Sequence, residues 1–343
     1  MLESILLHNF RSYTERQFEL GKQTVITGPN GAGKTNILEA VAMLSLTTSW
    51  KTEKDSEVIL WGEPFTRVVS GDRELVVQRH PYFKRIRLDG VSKRVGEVLG
   101  TLPSVLFQPD DSALVYGSPT YRRQALDRLL SQTAPGYLKA LTQLQRVVKQ
   151  RNKLLKQIQE GQASELELPY WDQQLMADAL VVQSVRADAI PRLCANLQQH
   201  FHDLVDSDQR VNMVYETSPK HVDGADLAEH LQRNRHKEIA AGVTLYGPHR
   251  EDILFTWGEH LATEGMSRGQ VRALVLAFKL AEVEYIEGKT GSAPILLLDD
   301  VFSEFDDVRR GRVIELSKTY QTILTTTELD DVHKTDSTYV ISL

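Results

Sequence analysis

Residues 28–35 read Gly28-Pro29-Asn30-Gly31-Ala32-Gly33-Lys34-Thr35. This stretch matches the phosphate-binding pattern G-x-x-x-x-G-K-[ST] at every fixed position. It follows a predicted strand, Gln23 to Thr27, and opens a predicted helix, Lys34 to Leu46. Glycines let backbone N–H groups turn towards phosphate oxygens, and the helix N-terminus adds partial positive charge. We expect all eight residues to bind ATP; the alternative is a glycine-rich turn without nucleotide.

Within this loop, two side chains have separate expected roles. Lys34 is long enough to reach the β- and γ-phosphates, and the Thr35 hydroxyl can ligate Mg²⁺. A second stretch fits the first: Ile295-Leu296-Leu297-Leu298-Asp299-Asp300 is an apolar strand that ends in two carboxylates. Acids at the carboxyl end of a parallel strand lie where ligands bind in open α/β sheets.

The two carboxylates predict a Walker B site. Asp299 is expected to hold Mg²⁺, and Asp300 to lie beside the γ-phosphate and orient the attacking water. Gln108 is the candidate for a further contact to Mg²⁺ and to that water. A solvated acidic pair that caps the next helix, and a glutamine in a surface loop, are the alternatives.

Ser267-Arg268-Gly269-Gln270 precedes a predicted long helix, Arg268 to Ile286, upstream of the acidic strand. It resembles the S-x-G-Q signature of ABC-type ATPases, in which the signature of one subunit closes on the nucleotide of the other. Ser267, Gly269 and Gln270 are therefore expected to address the γ-phosphate in trans, helped by the positive end of the helix. An ordinary helix N-cap is the alternative. Ser303-Glu304-Phe305-Asp306 looks like the D-loop that lines such dimer interfaces.

The wider pattern predicts an α/β fold: an ABC-type P-loop ATPase head with a mixed sheet, interrupted by a helical arm. Continuous apolar strands separated by helices are typical of parallel sheets covered on both faces. From Thr120 to about Leu204 the chain is mostly helical, and Gly161 divides it into an antiparallel hairpin. Pro191 predicts a kink or a break in the second arm. We assign residues 1–115 and 240–343 to the head and 116–239 to the arm.

Composition limits the class of protein. The 343 residues are 41% hydrophobic and 25% charged, a globular balance, with no run of eighteen apolar residues. We therefore expect no membrane span, and the N-terminus does not read as a signal peptide. The single cysteine, Cys194, allows no intramolecular disulfide and favours a cytoplasmic location. Because the net charge is −6, any contact to DNA has to come from a local basic patch.

Such a patch is predicted on the first arm. Residues 128–159 contain seven basic residues and no acidic one. Five of them are spaced by 7, 3, 4 and 3, which places them on one face of a helix: Lys139, Arg146, Lys149, Lys153 and Lys156. We call this set the basic stripe. Apolar residues from Leu141 to Ile158 follow a similar spacing two positions later, roughly 200° around the helix, and would pack on the returning arm. Contact with duplex phosphates is one interpretation, and a merely solvated face is the other.

Two further groups have competing interpretations. A basic cluster on a predicted hairpin is either a second DNA contact or a protected sheet edge; its members are Arg79, Lys84, Arg85, Arg87, Lys93 and Arg94. His249 and Arg250 have no nucleophile nearby in the sequence, so a structural role beside the core of the head is expected.

Several short motifs make the resemblance more specific. They are His8-Asn9-Phe10-Arg11-Ser12-Tyr13, Leu106-Phe107-Gln108-Pro109-Asp110-Asp111, Gly117-Ser118-Pro119 with Arg122-Arg123, Tyr246-Gly247-Pro248-His249-Arg250-Glu251-Asp252, and Leu298-Asp299-Asp300-Val301-Phe302-Ser303-Glu304. Together with the phosphate loop and the signature they resemble the RecF family of DNA-repair proteins nearly end to end. Asp300, where most ABC ATPases have Glu, agrees with that family. Thr326 stands near the place of the usual switch histidine and cannot act as a charged sensor.

The resemblance implies an ATP-dependent homodimer that hydrolyses ATP slowly, as a weak DNA-stimulated ATPase, and binds double-stranded DNA near single-strand gaps. It also implies work with RecR and RecO to load RecA in DNA replication, recombination, repair and the SOS response. The alternatives are a nucleotide-binding subunit of an ABC transporter, another SMC-like ATPase, and a nucleotide kinase. A transporter subunit would lack the motifs after Gly117 and Gly247, an SMC protein needs a far longer coiled coil, and a kinase needs no signature.

Overall fold

The computed structural model describes residues 1–205, 209–217, 224–304, 306–327 and 338–343. The helices are α1 Lys34–Leu46, α2 Val95–Val98, α3 Ala113–Tyr116, α4 Pro119–Thr133, α5 Tyr137–Gln159, α6 Leu168–Leu204, α7 Gly224–Ala241, α8 Ala262–Gly265, α9 Arg268–Thr290 and α10 Asp307–Thr319. The strands are β1 Ser4–Phe10, β2 Tyr13–Glu19, β3 Gln23–Thr27, β4 Phe65–Ser70, β5 Arg73–Gln78, β6 Phe83–Leu88, β7 Val91–Lys93, β8 Ser104–Phe107, β9 Val211–Glu216, β10 Asp252–Trp257, β11 His260–Leu261, β12 Ile295–Asp299, β13 Thr322–Thr326 and β14 Thr338–Ser342.

The chain divides into two compact units. Unit 1 contains residues 1–112, 200–206 and 268–343, and unit 2 contains 113–199 and 207–267. The predicted boundaries assigned 240–267 to the head, whereas these residues fall in unit 2. The physical reason is that β10 pairs antiparallel with β9 along its whole length, from Asp252 opposite Glu216 to Trp257 opposite Val211. A sheet cannot be divided between units without breaking its ladder hydrogen bonds.

Unit 1 contains a five-stranded sheet in the order β14-β3-β13-β12-β8, with every pair parallel. Strands β3, β8 and β13 are buried at every position, which explains their continuous apolar or β-branched sequences. Because all five strands run the same way, the loops after β3, β8, β12 and β13 leave from one edge of the sheet. The predicted phosphate loop, Gln108 and the paired carboxylates are on three of these loops.

A second sheet in unit 1 is antiparallel, in the order β2-β1-β4-β5-β6-β7. Helix α1 contacts both sheets, touching β1, β4 and β5 on one side and β8, β12 and β13 on the other. From Ile37 to Leu46 every residue of α1 is buried. The helix that carries the phosphate loop is therefore a core element, fixed by apolar packing along most of its length.

Unit 2 combines helices α3 to α8, with α6 only as far as residue 199, and a three-stranded sheet, β11-β10-β9. The predicted break near Gly161 is confirmed, since α5 ends at Gln159 and α6 begins at Leu168. Of the two outcomes predicted at Pro191, the break is wrong, because α6 continues through this residue to Leu204; a kink there stays a prediction. Packing along the rest of the helix outweighs the one backbone hydrogen bond that a proline cannot donate. Among the described residues, no helix has both the length and the apolar character needed to cross a bilayer.

Candidate nucleotide-binding site

The phosphate loop connects β3 to α1, as its sequence predicts. Three of its glycines have positive φ, namely Gly28 at 155°, Gly31 at 84° and Gly33 at 98°. Gly33 is also the N-cap of α1. A Cβ at Gly33 would lie only 2.7 Å from the Tyr13 hydroxyl oxygen, and a side chain would be strained at this φ, so both effects favour glycine here. The loop thus presents the N-terminus of a 13-residue helix, where N–H groups favour an anion.

Lys34 folds over this loop. Its Nζ donates to the carbonyl oxygen of Gly28 at 2.6 Å and of Pro29 at 3.1 Å. Lys34 is only 7% exposed, so its ammonium group lies against the loop and is largely shielded from solvent. A phosphate bound inside the loop would meet the ammonium without a change in the position of the lysine backbone.

The second carboxylate stretch meets the phosphate loop in space. Thr35 Oγ1 donates to Asp299 Oδ1 at 2.8 Å, although 264 residues separate the two in sequence. Asp299 ends β12, and β13 lies between β12 and β3 in the sheet. A hydroxyl and a carboxylate in contact are hard oxygen ligands of the kind that Mg²⁺ prefers. The two residues fit a Mg²⁺–nucleotide site.

Thr325 is a member of this cluster that the sequence interpretation missed. Its Oγ1 donates to Asp299 Oδ1 at 2.9 Å and accepts from the Asp300 backbone N–H at 2.9 Å. The residue is 1% exposed. Our candidate for this strand was Thr326, its neighbour, which is also buried. Side chains alternate along a strand, so the choice between adjacent threonines requires the register of β13 on β12.

Asp300 lies just beyond β12 with a φ of 52°. The left-handed region is uncommon for residues other than glycine, although aspartate tolerates it better than most. Such conformations cost about 1–3 kcal/mol and concentrate at functional sites. The conformation moves Asp300 off the line of β12, so that it does not simply continue the strand after Asp299.

Gln108 directly follows β8, which pairs with β12 so that Phe107 is opposite Leu298. Gln108 therefore follows the last residue of the pairing, as Asp299 does on β12. Its backbone N–H donates to Asp111 Oδ2 at 2.7 Å, and the Asp111 N–H donates back to its carbonyl at 3.1 Å. Asp111 is buried, with Lys279 Nζ 3.9 Å from the same oxygen. The turn after β8 is thus fixed, which favours a loop built to hold Gln108 in place.

The turn between β1 and β2 supports α1 from outside. Arg11 makes a two-pronged ion pair with Glu39, with Nη2–Oε1 at 2.6 Å and Nε–Oε2 at 2.8 Å. Glu39 is fully buried in the middle of α1, so Arg11 neutralises a charge inside the core. Tyr13 donates its hydroxyl to the Gly33 carbonyl at 3.2 Å.

The signature begins α9, as predicted. Ser267 and Arg268 are exposed, whereas most of α9 from Val271 to Ile286 is buried in unit 1. Of the four residues in the predicted D-loop, Asp306 is the one whose side chain belongs to the described part of the structure. The prediction for the other three lies outside the described side chains. Asp306 caps α10 by accepting from the Arg309 backbone N–H at 3.0 Å. An exposed serine at the tip of a long buried helix has the form that a contact in trans requires.

All five residues of the basic stripe are exposed on α5. Leu155 and Ile158 pack with Leu168 and Trp171 of α6, so the C-terminal end of the predicted apolar stripe faces the returning arm. The other basic residues of the first arm do not all belong to this surface. Arg151 is fully buried, and its guanidinium binds Asp172 at 2.9 Å and Glu238 at 2.5 Å.

The second basic cluster is divided by its ion pairs. Lys84 Nζ lies 2.7 Å from Asp55 Oδ2, and Arg87 Nη1 lies 3.1 Å from Glu74 Oε2. Arg85, Lys93 and Arg94 are exposed. Two of the six cationic groups therefore serve the packing of the antiparallel sheet, which weakens the case for this cluster as a nucleic-acid surface.

His249 and Arg250 have a structural place, but in unit 2 and not beside the head as we expected. His249 Nε2 donates to the Thr244 carbonyl at 3.3 Å, and Arg250 Nε donates to the same oxygen at 3.1 Å. Burial lowers the pKa of His249 to about 4, and the charges of Arg250, Arg123 and Arg151 act in the same direction. The imidazole is therefore neutral at pH 7.

The class of protein follows from these features. Unit 1 has a parallel sheet, a phosphate loop that joins β3 to the core helix α1, and an acidic strand, β12, that is separated from β3 by β13. These features define the head of an ABC-type P-loop ATPase. The description of the matching family model is RecF/RecN/SMC N terminal domain, and the match covers residues 1–343.

Comparison with individual proteins narrows the class. The chain is 38% identical over 336 residues to the DNA replication and repair protein RecF of Moorella thermoacetica, covering 96% of this chain and 90% of that protein. Two solved structures are similar, each 29% identical: a recombination mediator protein RecF–ATPrS of the RecFOR pathway, with a TM-score of 0.90, and the corresponding RecF–ATP, with 0.87. The first comparison covers 98% of this chain and 94% of the other, and the second covers 97% and 93%. The chain belongs to the RecF family.

Proposed function

We propose that this protein is an ATP-controlled DNA-binding protein of recombinational repair. It dimerises on binding ATP and binds double-stranded DNA near single-strand gaps. It then helps RecR and RecO to load RecA. The family supports this function as a whole, and the solved relatives with ATP and ATPrS support the nucleotide. The observation on which the nucleotide part rests is the 2.8 Å hydrogen bond between Thr35 and Asp299.

The residues of the loop have distinct roles in binding. Backbone N–H groups of the phosphate loop and Lys34 bind the phosphates, and the helix dipole of α1 adds to their attraction. Thr35 and Asp299, with Gln108, would hold Mg²⁺, which when bound neutralises charge on the phosphates. Thr325 keeps the Asp299 carboxylate in the rotamer that Thr35 already contacts.

Hydrolysis would be slow for a structural reason. Asp300 is our candidate for orienting the attacking water, and its side chain is one methylene shorter than the glutamate of most ABC ATPases. Its backbone is fixed by the hydrogen bond to Thr325 and by its left-handed conformation. A general base must lie within hydrogen-bond distance of the proton that it takes. A short side chain on a fixed backbone makes that distance harder to reach before a second copy closes the site.

The pairing step assigns a role to the signature. Ser267, Gly269 and Gln270 of one copy would bind the γ-phosphate held by the other, so ATP becomes part of the interface. DNA binding would involve the basic stripe. Its five cations are exposed on one helix face, where they would contact backbone phosphates. Because this function includes no side-chain contact to base edges, we expect the protein to recognise the shape of the DNA and not its sequence.

The experiment that tests this function combines sedimentation velocity with duplex-DNA binding, each with and without ATP. Wild-type protein should pair and bind DNA only with ATP. Lys34→Met should lose ATP binding, because it removes the cation that contacts the phosphates. Ser267→Arg should keep ATP but fail to pair, since a large cation replaces the exposed hydroxyl. A wild-type protein that stays monomeric with ATP and ignores DNA would refute the proposal.

A further inference from the structure

One arginine joins the signature turn to the segment after the acidic strand. Arg309 lies in the first turn of α10, and its Nη2 donates to the Gly269 carbonyl at 2.9 Å across 40 residues of sequence. Its Nη1 lies 2.5 Å from Asp306 Oδ2. Gly269 belongs to the signature, and Asp306 ends the predicted D-loop. A single guanidinium therefore connects two segments that the proposed function assigns to the same interface.

Arg309 is the more buried of the two residues in this ion pair. The Arg309 side chain is 12% exposed, whereas that of Asp306 is 54% exposed. Both carboxylate oxygens of Asp306 are used, one by the guanidinium and one by the backbone N–H of Arg309. A planar fork can serve a carboxylate and a carbonyl together, which the single ammonium of a lysine does less well.

The polar contacts of this guanidinium are unevenly distributed. Its Nε is buried and has no hydrogen-bond partner among the residues that the structure describes, although buried donors in proteins are nearly always satisfied. Its two terminal nitrogens instead contact Asp306 and Gly269. These two contacts therefore orient the end of the side chain.

We propose that Arg309 is a positioning residue that holds Gly269 of the signature and Asp306, the last residue of the predicted D-loop, in one fixed relation within each copy. The inference rests on the proposed function and adds a mechanism to it. Ser267 and Arg268 are exposed at the start of α9. The bond to the next residue, Gly269, ties that exposed tip to α10. Both trans elements would then reach the nucleotide of the second copy together.

The test compares Arg309→Ala with Arg312→Ala, a control on the next turn of α10. Arg312 pairs with Glu315 at the surface, with the two side chains 36% and 65% exposed. Three quantities are measured: the pairing constant in ATP by sedimentation velocity, the affinity for a fluorescent ATP analogue, and the melting temperature. Arg309→Ala should weaken pairing about tenfold, roughly 1.4 kcal/mol, and change ATP affinity less than about twofold. Arg312→Ala should change neither quantity.

Two further variants separate the bridge from its charge. Arg309→Lys keeps the positive charge but not the fork, so it should also weaken pairing. Asp306→Asn keeps a good helix cap while it removes the ion pair, and should act in the same direction with a smaller effect. If Arg309→Ala does not fold, these two variants decide the question.

The possible outcomes distinguish this inference from the proposed function. Wild-type protein that does not pair with ATP would overturn both. Pairing in wild type together with undiminished pairing in Arg309→Ala would overturn the positioning role alone. Equal losses of ATP affinity and pairing in Arg309→Ala would also overturn it, because they would show general damage to unit 1.

Discussion

Thr325→Val tests whether the buried hydroxyl of β13 organises both carboxylates of the nucleotide site. Valine has nearly the shape of threonine, so the change removes the hydroxyl and leaves the packing. The hydroxyl donates to Asp299 at 2.9 Å and accepts from the Asp300 backbone at 2.9 Å. A hydrogen bond to a charged group contributes about 1.5–3 kcal/mol, and a neutral one about 0.5–1.5 kcal/mol.

The strand supplies a matched control. Thr322 is fully buried at the other end of β13, and its hydroxyl donates to the nearby Tyr320 carbonyl at 3.0 Å. Thr322→Val removes a hydroxyl of the same kind from the same strand, away from the carboxylates. Thr325→Val should lower the free energy of unfolding by about 2–4.5 kcal/mol, the sum of its two bonds. Thr322→Val should lower it by about 1 kcal/mol.

The assays are urea unfolding and ATP hydrolysis under saturating and limiting ATP. Thr325→Val should lower kcat at least about tenfold, which corresponds to about 1.4 kcal/mol in the barrier, with a smaller change in KM. Thr325→Ser keeps the hydroxyl and should restore most of kcat. If Thr325→Val and Thr322→Val give the same kcat and the same unfolding free energy, the hydroxyl does not position the carboxylates.

Three other predictions concern separate features. Gly33→Ala should abolish measurable ATP binding, because its Cβ would lie 2.7 Å from the Tyr13 hydroxyl, whereas Gly31→Ala meets no atom within 4 Å and should bind more weakly but detectably. The pKa of His249 is depressed to about 4, so its contribution to stability is present above the unfolded pKa of about 6.5 and is lost as the pH falls towards 4. His249→Gln should reduce this pH-dependent loss of unfolding free energy by up to about 3 kcal/mol, as measured by urea unfolding. The same change at the exposed His236 should have no such effect. Replacing the basic stripe with glutamine should leave ATP affinity unchanged. It should reduce the slope of log K for DNA binding against log salt concentration by about 0.9 for each phosphate that the protein no longer neutralises. An unchanged slope would exclude the stripe as a DNA contact.

The sequence predicted those parts of the site that are contiguous in the chain. The phosphate loop, the acidic strand and the signature each need only a few neighbouring residues with the right backbone. Their local structure was therefore predicted from residue types alone, as the glycines of the loop and the strand before Asp299 show. The basic stripe was predicted for a similar reason, because the periodicity of α5 fixes which residues share a face.

The domain limits were less predictable. Residues 240–267 belong to unit 2 because β10 finds its partner in β9, and a sequence does not show which distant strand another will pair with. Pro191 failed as a helix breaker for a related reason, since a local preference is outweighed when the rest of α6 is packed.

Sequence by itself determined the class of protein, because a phosphate loop, an acidic strand and a signature in fixed order depend on local backbone chemistry. Only the tertiary structure decided which side chains complete the site. Thr325 reaches Asp299 because β13 pairs with β12 so that the two residues are opposite each other, and Arg309 reaches Gly269 because the first turn of α10 lies next to the first turn of α9. Each contact joins segments 26 to 40 residues apart, and hydrogen bonds require atoms within about 3 Å of each other. That distance is set by the packing of the whole unit, and no short stretch of sequence encodes it.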